Sequence, residues 1–99
     1  MHKRTKALDI TPAVKSAVWE RDKGRCILCG SPMYAFPNAH YISRAQGGLG
    51  IEENIVTLCQ VCHDRYDNGA GQQQTKAEIR DYLMRKYQDW DESRLRYRK

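Results

Sequence analysis

The chain has 99 residues, a formal net charge of +5 and a hydrophobic fraction of 40%. A chain of this length forms one domain, residues 1–99, whose apolar core is marginal without a further stabilising element. No apolar segment is long enough to cross a bilayer and no signal peptide is evident, so we expect an intracellular, cytoplasmic protein with no membrane partner.

The positive charge is concentrated near the two ends. Seven basic residues lie there: Lys3, Arg4, Lys6, Arg94, Arg96, Arg98 and Lys99. Subtracting these seven charges from +5 leaves residues 7–92 at about −2. We therefore predict basic arms at residues 1–8 and 93–99 that bind a polyanion, with solvated, frayed ends as the alternative.

The first predicted helix begins at Thr11, which suits an N-cap, with Pro12 at the first helical position. Val14 and Val18 recur at helical spacing and indicate an inward-facing apolar stripe. Gly24 is expected to end this helix.

Extended chain is predicted over residues 34–44, with an interruption at Pro37 and then a glycine-rich loop, QGGLG. NIVTLC predicts a short strand, and CQVCHDRYD predicts the start of a helix. A C-terminal helix is predicted over residues 72–92, with a capping box formed by Thr75 and Glu78 at its opening.

Two identically spaced cysteine pairs, Cys26-x-x-Cys29 and Cys59-x-x-Cys62, are the most specific motif in the chain. Each pair can present two thiolates to one tetrahedral ion, which predicts a closed, structural Zn²⁺ site. Buried free thiols and a redox CxxC are the alternatives. Such a site would supply part of the folding free energy.

Three polar residues are placed around the cysteine pairs in the order His40, Asn54, His63. Together with the segments AHYISRAQGG, EENIVTLC and CQVCHDRYD, this order resembles the HNH endonuclease family over about residues 12–67. The resemblance implies a small, zinc-stapled α+β fold. Its core would be a ββα-metal (His-Me finger) unit flanked by an N-terminal and a C-terminal helix.

The resemblance implies a role for each motif residue. His40 matches the general base, for which an imidazole has a suitable pKa, and Asn54 matches the residue that braces the loop and orients the base. His63 matches a ligand of the catalytic metal, and Asp67, four residues later on the same helical face, matches a second. A structural histidine, a turn asparagine and a solvated carboxylate are the alternatives.

Ala39 departs from the family pattern, since many members have a metal-ligating Asp or His directly before the base. One alternative is that His63 and Asp67 hold the ion together with waters, and a second is that Asn38 or the glycine loop supplies an oxygen. A degraded site that only binds DNA is the third alternative. A ligand set of one imidazole, oxygens and waters suits Mg²⁺ or Mn²⁺.

The predicted partner is DNA, and the resemblance places a basic residue near the scissile phosphate at Arg44, with a surface arginine as the alternative. The predicted DNA-binding residues are Arg44, Arg94, Arg96 and Arg98. Small family members are often encoded by phages, which suggests phage packaging or other DNA-processing proteins as further partners.

The function implied by the resemblance is a metal-dependent DNA endonuclease or nickase that hydrolyses phosphodiester bonds. The alternative is a catalytically impaired, zinc-stapled nucleic-acid-binding module, which Ala39 favours. A protein-interaction module that uses the last helix is a further alternative.

Overall fold

The computed structural model describes residues 3–68 and 71–97. In chain order its helices and strands are α1 (Lys3–Leu8), α2 (Pro12–Arg21), β1 (Ala35–His40), β2 (Ile55–Cys59), α3 (Gln60–Asn68) and α4 (Gln72–Lys86). Two 3-10 turns lie at Arg44–Gln46 and Glu92–Arg94. The predicted small α+β fold is confirmed, with β1, β2 and α3 in the order that a ββα unit requires.

Helix α2 begins as the sequence predicts. The side chain of Thr11 accepts a hydrogen bond from the Val14 N–H at 3.2 Å, and Pro12 is the first helical residue. Val18 is completely buried, as its place in the apolar stripe predicts. The helix ends at Arg21, three residues before Gly24, whose φ of +66° is in the left-handed region that favours glycine.

The two strands pair antiparallel, and the predicted interruption lies between Phe36 and Ala39, where the register shifts around Pro37. A proline cannot donate a ladder hydrogen bond, so the bulge accommodates it. All residues of β2 are buried, because helices and loops cover both of its faces. The hairpin thus holds His40 at the end of β1, opposite Ile55 at the start of β2.

Helix α4 begins before Thr75, the residue that the predicted capping box would make its N-cap. Gly71 is its N-cap, and the Thr75 N–H donates to the Gly71 carbonyl at 3.0 Å, inside the first turn. Thr75 is only 6% exposed, so its side chain packs in the interior. The prediction of a capping box formed by Thr75 and Glu78 is therefore wrong, although the predicted start of the helix at residue 72 agrees with the structure.

The same helix ends at Lys86, whereas the sequence predicted residue 92. Tyr87 adopts an extended conformation, and the chain turns so that the Trp90 indole donates to the Glu53 carbonyl at 2.8 Å. Leu95 is then buried at 2% exposure. Continuing the helix would carry these apolar side chains away from the core.

The described parts of the predicted basic arms are not free. Leu8, at the end of α1, is 5% exposed, and the Gly50 N–H donates to the Ala7 carbonyl at 3.1 Å. A Cβ on Gly50 would lie 2.1 Å from the Asp9 carbonyl oxygen. The N-terminal segment therefore packs directly against the glycine loop, because burying Leu8 is favourable.

The C-terminal segment packs against the other side of the same loop. Arg96 forms an antiparallel bridge with Gly48, and the Leu49 N–H donates to the Leu95 carbonyl at 2.8 Å. The described parts of both predicted arms thus pack against the glycine loop, and the binding of a polyanion stays a prediction. Residues 1–2 and 98–99 lie outside the described ranges.

A buried polar network joins α2, β2 and α4. Asp22 is 7% exposed and accepts hydrogen bonds from the Arg21 guanidinium at 2.7 Å and from the Thr57 N–H at 2.8 Å. The Tyr82 hydroxyl also donates to this carboxylate. A charged pair is stable inside a protein only when such partners satisfy it.

Within the two described ranges, no helix combines the length and the apolar character that crossing a membrane would need.

Candidate metal centres and the His40 cleft

The cysteine pairs come together in one cluster. The sulfur atoms of Cys26, Cys29, Cys59 and Cys62 all lie within 4.8 Å of one another. Cys59 ends β2 and Cys62 lies in the first turn of α3, while the turn that holds the first pair is closed by a hydrogen bond from Gly30 to Cys26 at 2.9 Å. The four cysteines are therefore positioned to hold a metal ion.

The electrostatics of the cluster favour a cation. Burial raises the pKa of the Cys62 thiol well above its usual range, and hydrogen bonds to the sulfurs of Cys59 and Cys26 raise it further. Four thiolates at this spacing repel one another, and a divalent cation removes that repulsion. A tetrad of soft sulfur ligands suits an ion such as zinc.

His40 has a defined hydrogen bond on one side of its ring. Its Nε2 atom lies 3.1 Å from the backbone carbonyl oxygen of Leu8. A carbonyl only accepts, so Nε2 carries the hydrogen and Nδ1 keeps its lone pair. Burial lowers the pKa of His40, and the charges of Arg44 and His63 lower it too, outweighing the opposite effect of the Leu8 carbonyl. The imidazole is therefore neutral at physiological pH.

Asn54 is completely buried and braces the loop that follows His40. Its side-chain oxygen accepts from the Ile42 N–H at 2.8 Å, and its amide nitrogen donates to the Leu49 carbonyl at 2.8 Å. The Tyr41 N–H donates to the Asn54 carbonyl at 2.8 Å. One asparagine thus connects the start and the end of the loop.

His63 and Asp67 lie on one face of α3, with Nδ1 of the histidine 3.1 Å from Oδ2 of the aspartate. Both side chains are accessible, at 31% and 53% exposure. Among the described residues, the cysteine cluster is the only group of three or more His, Cys, Asp or Glu side chains close enough to share an ion. The side chain of the buried Ala39 offers no ligand atom. The two adjacent donors on α3 are therefore His63 and Asp67.

A cleft opens beside His40. Residues from β1, α3 and α4 line it, including His40, Tyr66, Asp67, Gln72, Gln73 and Lys76. The sequence analysis did not assign Gln72, Gln73 or Lys76 to a site. They lie in the polar first turns of α4, and a polar run of this kind is too general to indicate a ligand.

The predicted DNA-binding arginines occupy two places. Arg44 donates to the Leu8 carbonyl at 2.9 Å and to the Asp9 carboxylate at 2.8 Å, so it lies near His40 but has partners there. Arg94 and Arg96 are exposed beside the glycine loop, at the C-terminal end. Arg98 lies outside the described residues.

In a comparison with protein families, residues 26–69 match the model of the HNH endonuclease. This segment contains all four cysteines and the motif residues His40, Asn54 and His63. The resemblance inferred from the sequence is therefore confirmed for this segment. Comparisons with curated proteins and with solved structures gave no match.

Proposed function

From the HNH endonuclease match over residues 26–69, we propose that this chain is a metal-dependent DNA endonuclease or nickase. The observation that carries the proposal is the hydrogen bond between His40 Nε2 and the Leu8 carbonyl at 3.1 Å. It leaves Nδ1 unprotonated, which is the state that a general base needs, and His40 lines an accessible cleft.

In the proposed reaction, Nδ1 of His40 takes a proton from a water molecule as the water oxygen forms a bond to phosphorus. The bond from phosphorus to the 3′ oxygen breaks, and that oxygen takes a proton from solvent. The products are a 5′-phosphate and a 3′-hydroxyl. Asn54 holds the loop after His40 and so keeps the imidazole in place.

His63 and Asp67 fit a divalent cation, because an imidazole nitrogen and a carboxylate oxygen lie 3.1 Å apart on an exposed helix face. Two protein donors leave room for several waters, a set that suits Mg²⁺ or Mn²⁺. When bound, such an ion stabilises negative charge on the phosphate and on the leaving oxygen. We assign the cysteine cluster to structural Zn²⁺, because four thiolates leave no open coordination position.

DNA contacts are proposed for the exposed Arg94 and Arg96 and for Arg98. Arg44 is 45% exposed, but its hydrogen bonds to Leu8 and Asp9 give it a second task, which is to hold the N-terminal segment beside His40. Contacts of this kind bind phosphates and carry no sequence information. We therefore expect weak sequence preference.

A second candidate function is a nucleic-acid-binding module without cleavage activity. Ala39 favours it, because its side chain cannot ligate an ion and His63 and Asp67 belong to no described group of three or more His, Cys, Asp or Glu side chains. Retention of His40, Asn54 and His63 favours the nuclease.

The experiment incubates supercoiled plasmid with the full chain and Mn²⁺. A second reaction contains a chelator, and excess Mn²⁺ is then added to it to restore the free ion. We expect ion-dependent nicking that His40→Ala reduces by about 10²- to 10⁴-fold with little loss of DNA affinity. His63→Ala and Asp67→Asn should also lose activity. Asp64→Asn is the matched control, since Asp64 lies on the same helix and its carboxylate accepts from Gln60 at 2.9 Å. A wild type that is inert with Mg²⁺, Mn²⁺ and Ni²⁺ would leave the binding module as the function.

A further inference from the structure

We propose that Lys76 contacts the scissile phosphate in the His40 cleft, an inference that rests on the proposed nuclease function. Lys76 lies on α4, outside the segment that matches the HNH model. It nevertheless lines the same cleft as His40 and Asp67. A cation there faces the position at which the proposed base and the proposed metal ligand would act together.

The position of the ammonium group is set by an aromatic ring. Nζ of Lys76 lies over the ring of Tyr41, 5.4 Å from its centroid. Tyr41 directly follows His40 in the chain, and both residues line the cleft together with Lys76. An ammonium over an aromatic face is attracted by the ring quadrupole.

The ring of Tyr41 is itself held in place. Its hydroxyl donates to the Glu92 carboxylate at 2.6 Å, and Trp90 contacts its ring in a T-shaped arrangement with the centroids 5.7 Å apart. Tyr41 is 2% exposed. Lys76 therefore rests on a rigid surface, which reduces the conformational freedom that it loses when it binds a phosphate.

The ammonium group of Lys76 has no ion-pair partner among the described residues, so its charge can act on a phosphate. Within the described part of the chain, no carboxylate lies within ion-pair distance of its ammonium group, whereas Arg44 pairs with Asp9 at 2.8 Å. Negative charge develops on the phosphoryl oxygens in the transition state, and a fixed cation in a partly enclosed cleft stabilises it. Of the two cations described beside His40, Lys76 is thus the better placed for the phosphate.

The test compares Lys76→Met with Lys86→Met in the full chain. Lys86 is a matched control, because it lies on the same helix and its Nζ is also over a tyrosine ring, 5.3 Å from the Tyr82 centroid, but it does not line the His40 cleft. Plasmid cleavage is measured with Mn²⁺. Affinity for a duplex is measured against salt concentration without added divalent ion. Zinc content and the thermal unfolding midpoint are checked for each variant.

We expect Lys76→Met to reduce cleavage by about 10²- to 10³-fold, as the loss of one charge-stabilising donor does, and to reduce the salt slope of binding by about one. Lys76→Arg should keep the slope and recover part of the rate. Lys86→Met should change neither measurement.

Two results would overturn the role of Lys76. If the wild type cleaves but Lys76→Met matches Lys86→Met in rate and in slope, Lys76 does not contact phosphate, and the nuclease function stands. If the wild type is inert, the proposed nuclease function is wrong. In that case only the salt dependence of duplex binding tests Lys76. An unchanged salt slope in Lys76→Met would mean that Lys76 does not contact phosphate, and a lower slope would mean that it contacts phosphate in binding alone.

Discussion

Nε2 of His40 lies 3.1 Å from the carbonyl oxygen of Leu8, although the two residues are 32 positions apart in the chain. His40 belongs to the segment that matches the HNH model, and Leu8 precedes it. The N-terminal segment therefore takes part in setting the tautomer of the proposed base. Its contacts with Gly50 and Arg44 hold it there.

The first prediction concerns the pH dependence of cleavage. Burial lowers the pKa of His40 below its ordinary value of 6.5, and Arg44 and His63 act in the same direction. His40 is a base only when neutral, so kcat/KM should rise with pH through this lowered pKa and reach its plateau at a lower pH than an ordinary histidine would give. A cation bound at His63 would shift the profile in the same direction. The measurement is kcat/KM from pH 5 to pH 8.

Deleting residues 1–9 tests the contribution of Leu8. Because burial is the largest cause of the low pKa, exposing His40 should move the profile to higher pH, and losing the carbonyl should lower kcat. Zinc content should not change. Gly50→Ala should act in the same way without a deletion, since the added Cβ would lie 2.1 Å from the Asp9 carbonyl oxygen. Profiles identical to the wild type would show that the segment does not position the base.

The features that could be predicted from the sequence are those whose signals are local. The cysteine spacing, the Thr11–Pro12 helix start and the bulge at Pro37 each depend on a few consecutive residues. The contact between Leu8 and His40 could not be predicted, because nothing near Leu8 in the chain indicates its partner. Charge alone predicted basic arms and gave no sign of their packing, which depends on single apolar residues, the buried Leu8 and Leu95.

The second prediction concerns the buried carboxylate of Asp22. The sequence shows only an adjacent Arg21–Asp22 pair at the end of a helix, and two partners of Asp22, Thr57 and Tyr82, are 35 and 60 residues away from it. Asp22→Asn leaves the Arg21 guanidinium without a counter-charge, at 12% side-chain exposure. We expect a loss of about 3 kcal/mol in the free energy of unfolding, measured with urea.

Asp81→Asn is the control, because Arg80 and Asp81 are also adjacent but exposed, with their charged atoms 4.0 Å apart. It should change the free energy of unfolding by less than about 0.5 kcal/mol. Equal effects of the two substitutions would mean that the Asp22 network contributes no more than a surface pair.

The third prediction concerns zinc. We expect one tightly held Zn²⁺ per chain, and Cys59→Ser should lose the ion and much of the fold, because Cys59 joins β2 to the cluster. Elemental analysis and thermal unfolding measure the two effects. Disulfides in the purified chain, or protein without zinc, would contradict the assignment.

The fourth prediction concerns the C-terminal arginines and is tested by substitutions. Deleting residues 94–99 would remove the buried Leu95 and disturb the glycine loop, so a loss of binding could not be attributed to charge. Arg94→Ala with Arg96→Ala removes two exposed charges and should reduce the salt slope of DNA binding by about two. Arg85→Ala, an exposed arginine late in α4, is the control. An unchanged slope would show that the C-terminal arginines do not contact DNA.

The fifth prediction tests the two-donor metal site through Ala39. This residue precedes His40, is 1% exposed, and belongs to the same buried cluster as Cys62 and Tyr66 of α3. The family pattern places a metal ligand here. Ala39→Asp should destabilise the protein by about 3 kcal/mol without added divalent ion, because it buries an uncompensated charge.

If the ion is held from α3 by His63 and Asp67, the new carboxylate adds a third ligand. All three proteins are compared at one Mn²⁺ concentration, about 100 times the Kd of the Ala39→Asp variant. The ion should then restore about 2.7 kcal/mol in that variant, measured by urea unfolding, and less in the others, and Ala39→Asp should need less Mn²⁺ than wild type for half-maximal cleavage. Ala39→Asn is the control, since it adds a side chain of the same size without the charge and should recover much less. Equal responses to Mn²⁺ in wild type and both variants would mean that position 39 does not face the ion. The two-donor assignment would then fail, because the resemblance that places the ion beside His63 also places position 39 against it.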